Sequence, residues 1–579
     1  MMRPTLFAAM LLAALASGCD PAGESCSSDA VCSTSSGGRC VADRCQYPDA
    51  ACASGSSFAP GECVPAAEDA GGRDAGTRDA GSLDAGTQDA GSTDAGSTDG
   101  GSDAGPGDGP LKAFPSAFGG GATATGGRGG VLILVNTDDP EVPLTHFEAT
   151  ATTPERYEGG FYAALQHDGA AYIVFDRSMN IDLGVRGTGR VFGFSGIPGV
   201  TDKTIFGQSA PEGGVTITGG TFRFDGQSED LGNLIFRYLR SRPVFNSDGV
   251  RSDEDDSYTW GLLLYGGDDI MIDHCSFSFA NDKAVGGFID QNHVPRGRGM
   301  EGITFSRNLI AHSHTGAYVE INPGRPDEPE AWVGDISFLA NVIAGVNRTP
   351  NLAFDGYGEV MNNVVYGNNY KSTTVYHDIQ LNHVANYHFR PSGGTTSGFN
   401  RLFQHDSSNP RVFADLNYYP GLLTGVAGED NRAVWKERDN YDMTAPAAFF
   451  ADTAFDPGFM HPYAPLGAVA AHGSIVMDGD VGAARYLDDE GRPQTYQDSF
   501  DRGLLDDMIA GDAIDSHNSA LWILPELPVS IRPGSYDTDL DGLADAWELR
   551  TFGDLSESYA GDADGDGYTN IEEYMNQVD

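Results

Sequence analysis

The sequence predicts an all-β protein whose main part is a right-handed parallel β-helix, or solenoid, followed by a small α-helical module. Two observations point to this fold class. Short apolar strands recur on one template, and the stretches between them are rich in Gly, Asn and Asp. The chain of 579 residues has 77 Gly and is 40% hydrophobic, which favours turns and β-structure over helix bundles. Its length predicts several segments rather than one domain.

The strand template is the strongest of these signals. It places apolar residues two apart, a small or amide residue three positions later, and a further apolar residue after that. Its copies are Ile270, Ile272, Cys275 and Phe277; Ile303, Phe305, Asn308 and Ile310; and Ile336, Phe338, Asn341 and Ile343. Period-two apolar positions face a core, and a repeated template indicates stacked rungs. Residues 215–224, 358–367 and 378–389 are further candidate rungs. A β-sandwich is the rival fold, and the stacked template argues against it.

The composition of successive segments predicts the domain order. We expect a lipoprotein signal peptide at 1–18, a Cys-rich module at 19–65, a linker at 66–110, the β-helix domain at 111–533 and the helical module at 534–579. The linker repeats Asp-Ala-Gly every five residues, so it has no apolar face to bury and should act as a tether.

The first residues have the pattern of an export signal. A positive flank at Arg3 precedes a short apolar run that ends in small residues before Cys19. This resembles the lipobox of bacterial lipoproteins, which implies that Cys19 is lipidated and anchors the chain at the cell surface or outer membrane. An ordinary cleaved signal peptide, with release outside the cell, is the alternative.

Cysteine usage agrees with export. An even set of six in a short stretch reads as a disulfide module whose pairing the sequence leaves open. The set is Cys26, Cys32, Cys40, Cys45, Cys52 and Cys63. A zinc site is the weaker interpretation, because this stretch has no His. Cys275 stands alone in an apolar run, which predicts a buried thiol.

The formal net charge of −48 excludes one class of partner and favours another. Such a chain repels phosphate backbones, so nucleic-acid binding is not expected. Clustered carboxylates instead suit cation binding.

Two segments at the C-terminal end have the spacing of helix–loop–helix calcium loops. Oxygen donors fall at loop positions 1, 3, 5, 9 and 12, with Gly at position 6. The predicted ligands are Asp537, Asp539, Asp541, Asp545 and Glu548 in the first loop and Asp562, Asp564, Asp566, Asn570 and Glu573 in the second. The alternatives are an acidic linker without an ion and a dockerin-like module with a protein partner.

The main domain resembles the pectate lyases of polysaccharide lyase family one. The stretches that carry the resemblance are residues 204–220, 233–243, 270–285, 334–352, 358–368 and 381–391. The resemblance implies a calcium-dependent enzyme that cleaves polygalacturonate by β-elimination into unsaturated oligogalacturonides.

The resemblance also implies roles for particular residues. Arg348, in Arg-x-Pro, matches the family's base, and Asp256 and Asp282 match calcium ligands on the β-helix. Arg237, Arg240, Lys371 and Arg390 lie in or near predicted rungs and are candidate substrate-binding cations. Asp273 and His274 are expected to serve the rung and its turn rather than catalysis.

The chain departs from the family pattern near these residues. Lys283 and Gly286 follow Asp282 where another carboxylate is common. Thr315 stands where a substrate-contacting Lys is usual, and Asn351 replaces a second Arg. These departures put calcium binding and activity in question. The alternatives are a surface-tethered carbohydrate-binding β-helix without catalysis and a β-helix glycoside hydrolase with paired carboxylates. We expect a monomer that contacts pectin and, through its anchor, a membrane.

Overall fold

The protein is described by a computed structural model. The described residues are 39–41, 44–48, 56–59 and 62–63, and then 110–184, 196–226, 229–246, 248–251, 259–290, 299–322, 333–367, 371–389, 400–402, 409–437, 445–514 and 519–579. Spatial contacts divide the chain into two units, Met1–Gly100 and Gly101–Asp579.

The first unit contains one antiparallel sheet of four short strands. They are Arg39–Val41, Arg44–Pro48, Ser56–Ala59 and Glu62–Cys63. Cys19, Cys26, Cys32 and Cys52, and the side chains of the other three predicted disulfide cysteines, lie outside the described residues. The lipid anchor and the disulfides therefore stay predictions.

The second unit is a parallel β-helix with three faces, which confirms the predicted fold and excludes the sandwich. Its sheet 1 consists of Thr145–Phe147, Arg156–Gly159, Val131–Val135, Ala171–Phe175, Thr201–Phe206, Gly232–Arg237, Gly267–Asp273, Met300–Ser306, Val333–Leu339, Gly356–Met361, Ile379–Val384 and Arg411–Asp415. All neighbours in it are parallel except Thr145–Phe147 and Arg156–Gly159. Parallel crossovers of this kind are almost always right-handed.

From Ala171–Phe175 onward, the chain continues from each strand of sheet 1 into sheet 2 and then sheet 3. Sheet 2 contains Met179–Asp182, Val215–Thr218, Leu239–Ser241, Val342–Arg348, Val364–Tyr366, Tyr387–Phe389 and Tyr418–Tyr419, and sheet 3 contains Ile197–Pro198, Phe222–Asp225, Trp260–Tyr265, Asn351–Ala353, Thr374–Tyr376, Asn400–Leu402 and Trp435–Glu437. Two long strands, Ser276–Asp290 and Leu309–Asn322, pass through both sheets. The predicted rungs at 215–224, 358–367 and 378–389 all contribute strands.

The turn between sheets 1 and 2 is built alike on successive rungs. One residue adopts a left-handed conformation, as at His274 (φ 47°), Arg307 (φ 49°) and Ala340 (φ 55°). The next residue is the third template position, Cys275 on one rung and Asn on the following ones. This is the turn that the template predicted.

The asparagines after these turns form a buried ladder. Its members are Asn308, Asn341, Asn363, Asn386, Asn417 and Asn431, each at most 2% exposed. Asn363 Oδ1 accepts from the backbone N–H of Asn341 at 3.1 Å and from its Nδ2 at 2.8 Å, and Asn363 Nδ2 donates to the carbonyl of Phe338 at 2.8 Å. The neighbouring pairs repeat the first two bonds. The ladder therefore satisfies buried turn groups and fixes the register of the rungs.

Sheets 1 and 2 are covered on their outer faces by the ends of this unit. Residues 113–124 pack on Ile235 and Met271 of sheet 1. The helix Ser499–Ala510 packs with Ile475 and Val476 on Val342, Ala344 and Val364 of sheet 2. Other short elements are the helices Phe161–Leu165 and Ala468–His472, the 3₁₀ turns Gly207–Ser209, Asn431–Val434, Ala447–Phe449 and Ser519–Leu521, the π turn Gly473–Met477 and the hairpin Arg485–Leu487 with Pro493–Thr495.

The C-terminal module contains the predicted helices, Asp545–Thr551 and Asn570–Asn576. It packs on sheet 1, where Ile571 and Tyr574 share an apolar cluster with Leu132 and Tyr172. The segment before it is also packed, since the carbonyl of Ser530 accepts from Ser178 N–H at 2.9 Å. The sequence predicts a separate module, whereas the structure makes it part of the outer wall. Among the described residues, no helix combines the length and apolarity needed to cross a bilayer.

The ladder predicts that two substitutions destabilise the fold to different degrees. Asn363→Ala removes the acceptor of two buried donors, the backbone N–H of Asn341 and one N–H of its Nδ2, which keeps its other bond to the carbonyl of Phe305. Each lost acceptor costs about 1–3 kcal/mol. Asn308→Ala removes the acceptor of one backbone N–H, that of Cys275. We expect both variants to melt at lower temperature than the wild type in thermal unfolding, with the larger drop for Asn363→Ala. Equal melting temperatures for all three proteins would contradict a structural role for the ladder.

Candidate functional site

The corner between sheets 2 and 3 carries a row of aligned side chains. Lys283, Thr315 and Arg348 are register partners on three consecutive rungs. Strands lie about 4.8 Å apart, so the two cationic residues are separated by roughly 10 Å along the helix axis. We name Lys283, Thr315 and Arg348 the corner row. It places one predicted site residue, Arg348, in line with two positions where the chain departs from the pectate lyase pattern that its sequence resembles.

Local backbone irregularity produces this corner. Phe279 (φ 62°), His312 (φ 46°) and Gly345 (φ 61°) are left-handed on successive rungs just before it. The pairing of the two long strands also shifts register between Ala280 and Lys283. Such bulges bend a strand and redirect its side chains. The strands therefore turn from sheet 2 to sheet 3 at the corner row.

The outer face of sheet 3 differs from the covered faces of sheets 1 and 2. Its outward side chains are half-buried rather than fully enclosed, as at Tyr265, Phe288, Tyr318 and Glu320. Trp260 and Tyr318 meet edge to face with ring centroids 5.8 Å apart. An open face lined by aromatic rings and bordered by cations is suited to a polar or anionic ligand.

Lys283 lies at the edge of this face, in the corner row. Its Nζ lies 2.5 Å from Asp282 Oδ2 and stands over the rings of Trp260 and Tyr318, 4.8 and 4.7 Å from their centroids. The side chains of Lys283 and Asp282 are 17% and 14% exposed, so solvent reaches both. The carboxylate predicted to bind calcium is therefore neutralised by the adjacent lysine.

The residues described around Asp282 do not fit a calcium ion. Calcium takes about six to eight oxygen ligands. Within the described ranges, Asp282 belongs to no cluster of three acidic side chains. A Cβ on Gly286 would lie 1.7 Å from the carbonyl oxygen of Tyr318, so no carboxylate side chain fits at that position. The prediction of Asp282 as a calcium ligand is not supported, and Asp256 lies outside the described residues.

Glu320 is a titratable group of this face that the sequence analysis missed. It follows Tyr318 on the same strand with the same outward orientation, and its register partners are Phe288 and Ala353. Burial raises the pKa of Glu320 to about 7, while Lys283 acts in the opposite direction. The alternation of Ala317, Tyr318, Val319 and Glu320 was the available signal, because the apolar residues face the core.

Arg348 ends the strand Val342–Arg348 and is half-buried at the corner. Lys371 lies beside it, since the backbone N–H of Lys371 donates to the carbonyl of Asn347 at 2.7 Å. The side chain of Lys371 is only 8% exposed. Arg390, the remaining candidate for substrate contact, lies outside the described residues.

Arg237 and Arg240 were predicted to contact substrate, and the structure places both in the interior. Arg237 is 0% exposed, hydrogen-bonds Asp273 at 3.2 Å and pairs with Asp579 beneath the C-terminal module. Although burial opposes its charge, Asp579 and Asp273 raise the pKa of Arg237 above its usual value. Arg240 lies 3.4 Å from Asp498 and is 1% exposed. These arginines attach the C-terminal segment to the β-helix, because a buried charge needs a partner.

Asp273 and His274 belong to the same internal network, as expected. His274 Nδ1 lies 2.7 Å from Asp273 and its Nε2 lies 3.3 Å from Asp480. Burial opposes both charges, but His274 and Arg237 lower the pKa of Asp273 to about 2, and Asp273 and Asp480 raise that of His274. The pair joins a rung to the segment that covers it.

The first predicted calcium loop forms a compact group of carboxylates. The ligand atoms of Asp539, Asp541 and Glu548 lie within 4.8 Å of one another, as do those of Asp537, Asp539 and Asp545. Asp537 Oδ2 accepts from the N–H of Gly542 at 2.8 Å, where φ is 87°. This bond closes the loop at the predicted glycine.

Buried oxygens without hydrogen-bond partners mark this loop as a cation site. Glu548 is 0% exposed, yet neither of its carboxylate oxygens has a partner, and Asp539 Oδ1 has none either. Burial and the neighbouring aspartates raise the pKa of Glu548 to about 9 and that of Asp541 to about 8. Such a group needs positive charge, and its donors fit calcium.

The second predicted calcium loop is more exposed. Asp562, Asp564 and Asp566 lie within 4.8 Å of one another. Burial, and then Asp564, raise the pKa of Glu573 to about 8. Asn570 Oδ1 accepts from the N–H of Ala563 at 3.1 Å, so this amide holds the loop rather than facing a central ion.

Comparisons with known proteins agree with the resemblance seen in the sequence. No family model matches the chain. The chain is 23% identical to a probable pectate lyase C of Aspergillus oryzae over 483 residues, which cover 81% of this chain and 94% of the relative. It is 24% identical to the probable pectate lyase C of Emericella nidulans, and the match covers 81% of this chain and 93% of that relative. A probable pectate lyase 22 of Arabidopsis thaliana is 25% identical, and the match covers 62% of this chain and 71% of that relative.

Solved structures with some likeness include pectate lyases as well. The chain matches a pectate lyase from Acidovorax avenae subsp. citrulli with a TM-score of 0.42 and 13% identity, covering 66% of this chain and 97% of that one. A Bacillus subtilis pectate lyase mutant matches with a TM-score of 0.40 and 12% identity, and the match covers 65% of this chain and 99% of that one. These scores are too low to support an argument, so the fold rests on the strand pairings.

The first calcium loop gives a prediction that needs no substrate. Excess calcium should raise the melting temperature of the wild type, since an ion at about 100 times its Kd contributes about 2.7 kcal/mol. Glu548→Gln should show a smaller calcium-dependent shift. It should melt no lower than the wild type in chelator, because the variant replaces a buried acid whose two oxygens have no hydrogen-bond partner. Calorimetric titration and thermal melts measure both effects.

The matched control is Glu557→Gln, which changes an exposed acid between the two loops. It should retain the full calcium-dependent shift. The same calcium response in Glu548→Gln as in the wild type would rule out the first loop as the site.

Proposed function

We propose that this protein is a polysaccharide lyase that cleaves polygalacturonate by β-elimination. The observation that carries the proposal is the similarity to proteins named probable pectate lyase over 81% of this chain and 94% of the Aspergillus oryzae relative. The aligned cations at the edge of an open aromatic face support it, because the substrate is a chain of acidic sugars.

The reaction conserves all atoms of the substrate. A base removes the proton at C5, next to the uronate carboxylate, and the C5–H electrons form the C4–C5 double bond. The C4–O bond breaks, and the leaving oxygen receives a proton. Negative charge builds up on the carboxylate in the transition state, so cations placed there accelerate the step. No water is consumed, which distinguishes this reaction from glycoside hydrolysis.

Arg348 is the residue to which we assign the main role. Its guanidinium is a fixed cation that can stabilise the enolate charge. As a base it must first lose a proton, which requires a strongly lowered pKa. The geometry is compatible with either role, and the pH dependence of a lysine variant separates them.

Local charge must recruit the substrate, because the whole chain carries a net charge of −48. Long-range attraction of a polyanion is therefore excluded. Lys283 and Arg348 are the described cations on the corner row, and Trp260 and Tyr318 supply ring faces for the sugars.

Calcium enters the proposal through the C-terminal loops. Asp537, Asp539, Asp541 and Glu548 would hold an ion in the first loop, with a structural role because they lie on the outer wall of the β-helix. We also propose export, lipid anchoring at Cys19 with the repeat linker as a tether, and disulfides in the Cys-rich module. A tethered lyase would act on polymers outside the cell.

The test uses the full chain with polygalacturonate and follows the ultraviolet absorbance of the unsaturated product. Arg348→Ala should lower kcat by at least about 100-fold, the scale seen when a group stabilising transition-state charge is removed. Arg492→Ala is the matched control, since its half-exposed side chain lies on the hairpin of residues 485–495. It should leave the rate unchanged.

Arg348→Lys distinguishes the two roles. If the group is a base, it acts only when deprotonated, so the limb of the pH–rate profile that rises with pH should move to lower pH by about 2–3 units, the difference between ordinary Arg and Lys pKa values. If the group is a cation, the profile should keep its position. Absence of product from the folded wild type at every pH would refute the lyase proposal and favour a binding protein without catalysis.

A further inference from the structure

Lys283 has no role in the reaction as the resembled family would perform it, yet it lies at the edge of the open face, in the corner row. The charge expected there is a metal ion bound by Asp282. The described residues put an ammonium group at that point instead, 2.5 Å from the carboxylate.

We propose that Lys283 is the cation that binds the uronate carboxylate in the groove, so that this site works without a bridging metal ion. The inference rests on the proposed function and specifies how the substrate is held. It also explains how the chain departs from its family without losing positive charge in the groove.

The contacts of Lys283 hold its ammonium in place while leaving it reachable. Asp282 accepts one of its three N–H donors, and the rings of Trp260 and Tyr318 flank it. The side chain is 17% exposed. A ligand carboxylate approaching from the open face therefore meets an oriented donor, and it forms a charge-assisted hydrogen bond.

The same contacts disfavour a divalent ion. An ion on Asp282 would stand beside the positive charge of Lys283 and repel it. The backbone at Gly286 excludes a second carboxylate four residues later, because its Cβ would collide with the Tyr318 carbonyl. Lysine beside Asp282 and glycine at 286 thus act together, one adding a cation and the other removing a ligand.

The corner row lets one ligand meet both cations. Lys283 and Arg348 are separated by two rungs, and Thr315 between them is 2% exposed and adds no charge. A uronate polymer carries one carboxylate per sugar, so Lys283 and Arg348 can bind different sugars of one chain. Lys283 then holds the substrate while Arg348 acts at the scissile bond.

The experiment compares the wild type with Lys283→Met at buffered calcium, using the full chain and polygalacturonate. Methionine keeps an unbranched stem between the two rings and removes the charge. We expect the wild-type rate to stay constant between micromolar and millimolar free calcium. Lys283→Met should raise KM by about 10- to 100-fold, the loss of one charged hydrogen bond, and millimolar calcium should restore part of that loss through the freed Asp282.

Two further variants make the result decisive. Lys283→Arg keeps the charge and should retain a KM within a few fold of the wild type, even if the methionine variant folds poorly. Lys112→Ala removes another lysine, whose Nζ stands 3.7 Å from the centroid of the Phe118 ring, outside the groove. It should leave KM unchanged at both calcium concentrations. Calcium in the C-terminal loops is common to all variants and cancels in the comparison.

The outcomes separate this inference from the proposed function. A folded wild type without lyase activity at any calcium concentration would refute the proposed function. An active wild type whose rate needs millimolar calcium, or a Lys283→Met variant with unchanged KM, would overturn the role of Lys283 and leave the lyase assignment intact.

Discussion

The hydrogen-bonded register of the rungs is the constraint on which the rest of this structure depends. A slip of two residues keeps the same side chains facing the core, so the apolar alternation alone does not fix the register of stacked strands. The buried asparagine ladder removes that freedom, because each side chain binds the backbone of the rung before it. A slip of one rung would leave several buried amides unpaired, at a cost far above thermal energy. The corner row is aligned because the asparagine ladder fixes the register of the rungs that carry it.

The covering of two of the three faces decides where the site lies. Sheets 1 and 2 are packed beneath chain segments, and buried arginines anchor those segments to acidic partners. Arg242 shows the pattern, with Asp498 at 3.1 Å and Asp501 at 2.8 Å. Truncating either side of such a pair leaves a buried charge, so the covering segments are integral to the fold. Sheet 3 remains for a ligand, and its half-buried aromatic and charged side chains suit one.

The net negative charge of the chain is compatible with the acidic ligand proposed above because of where the charges lie. Many of the acidic groups in the second unit lie in the C-terminal loops or pair with internal arginines. The groove keeps its cations within a few rungs of each other. Binding by such short-range contacts tolerates an unfavourable overall charge, because screening removes interactions beyond about 10 Å at ordinary salt.

The sequence by itself determined the repeating features. The third template position, occupied by Cys275, Asn308 and Asn341, was assigned to the turn, because a local pattern repeated at every rung contains the information for its own geometry. The clustering of the carboxylates in the two predicted calcium loops was equally readable, since these residues lie within short segments. Arg348 was found by resemblance, and its alignment with Lys283 needed the rung register.

Only the tertiary structure decided the fate of the charged residues between these patterns. Arg237 and Arg240 look like groove cations in the sequence, but their partners, Asp579 and Asp498, come from segments far along the chain. Asp282 looked like a metal ligand until the fold placed Lys283 between Trp260 and Tyr318 beside it. A charge acquires its role from what packs against it, and distant segments supply that packing here.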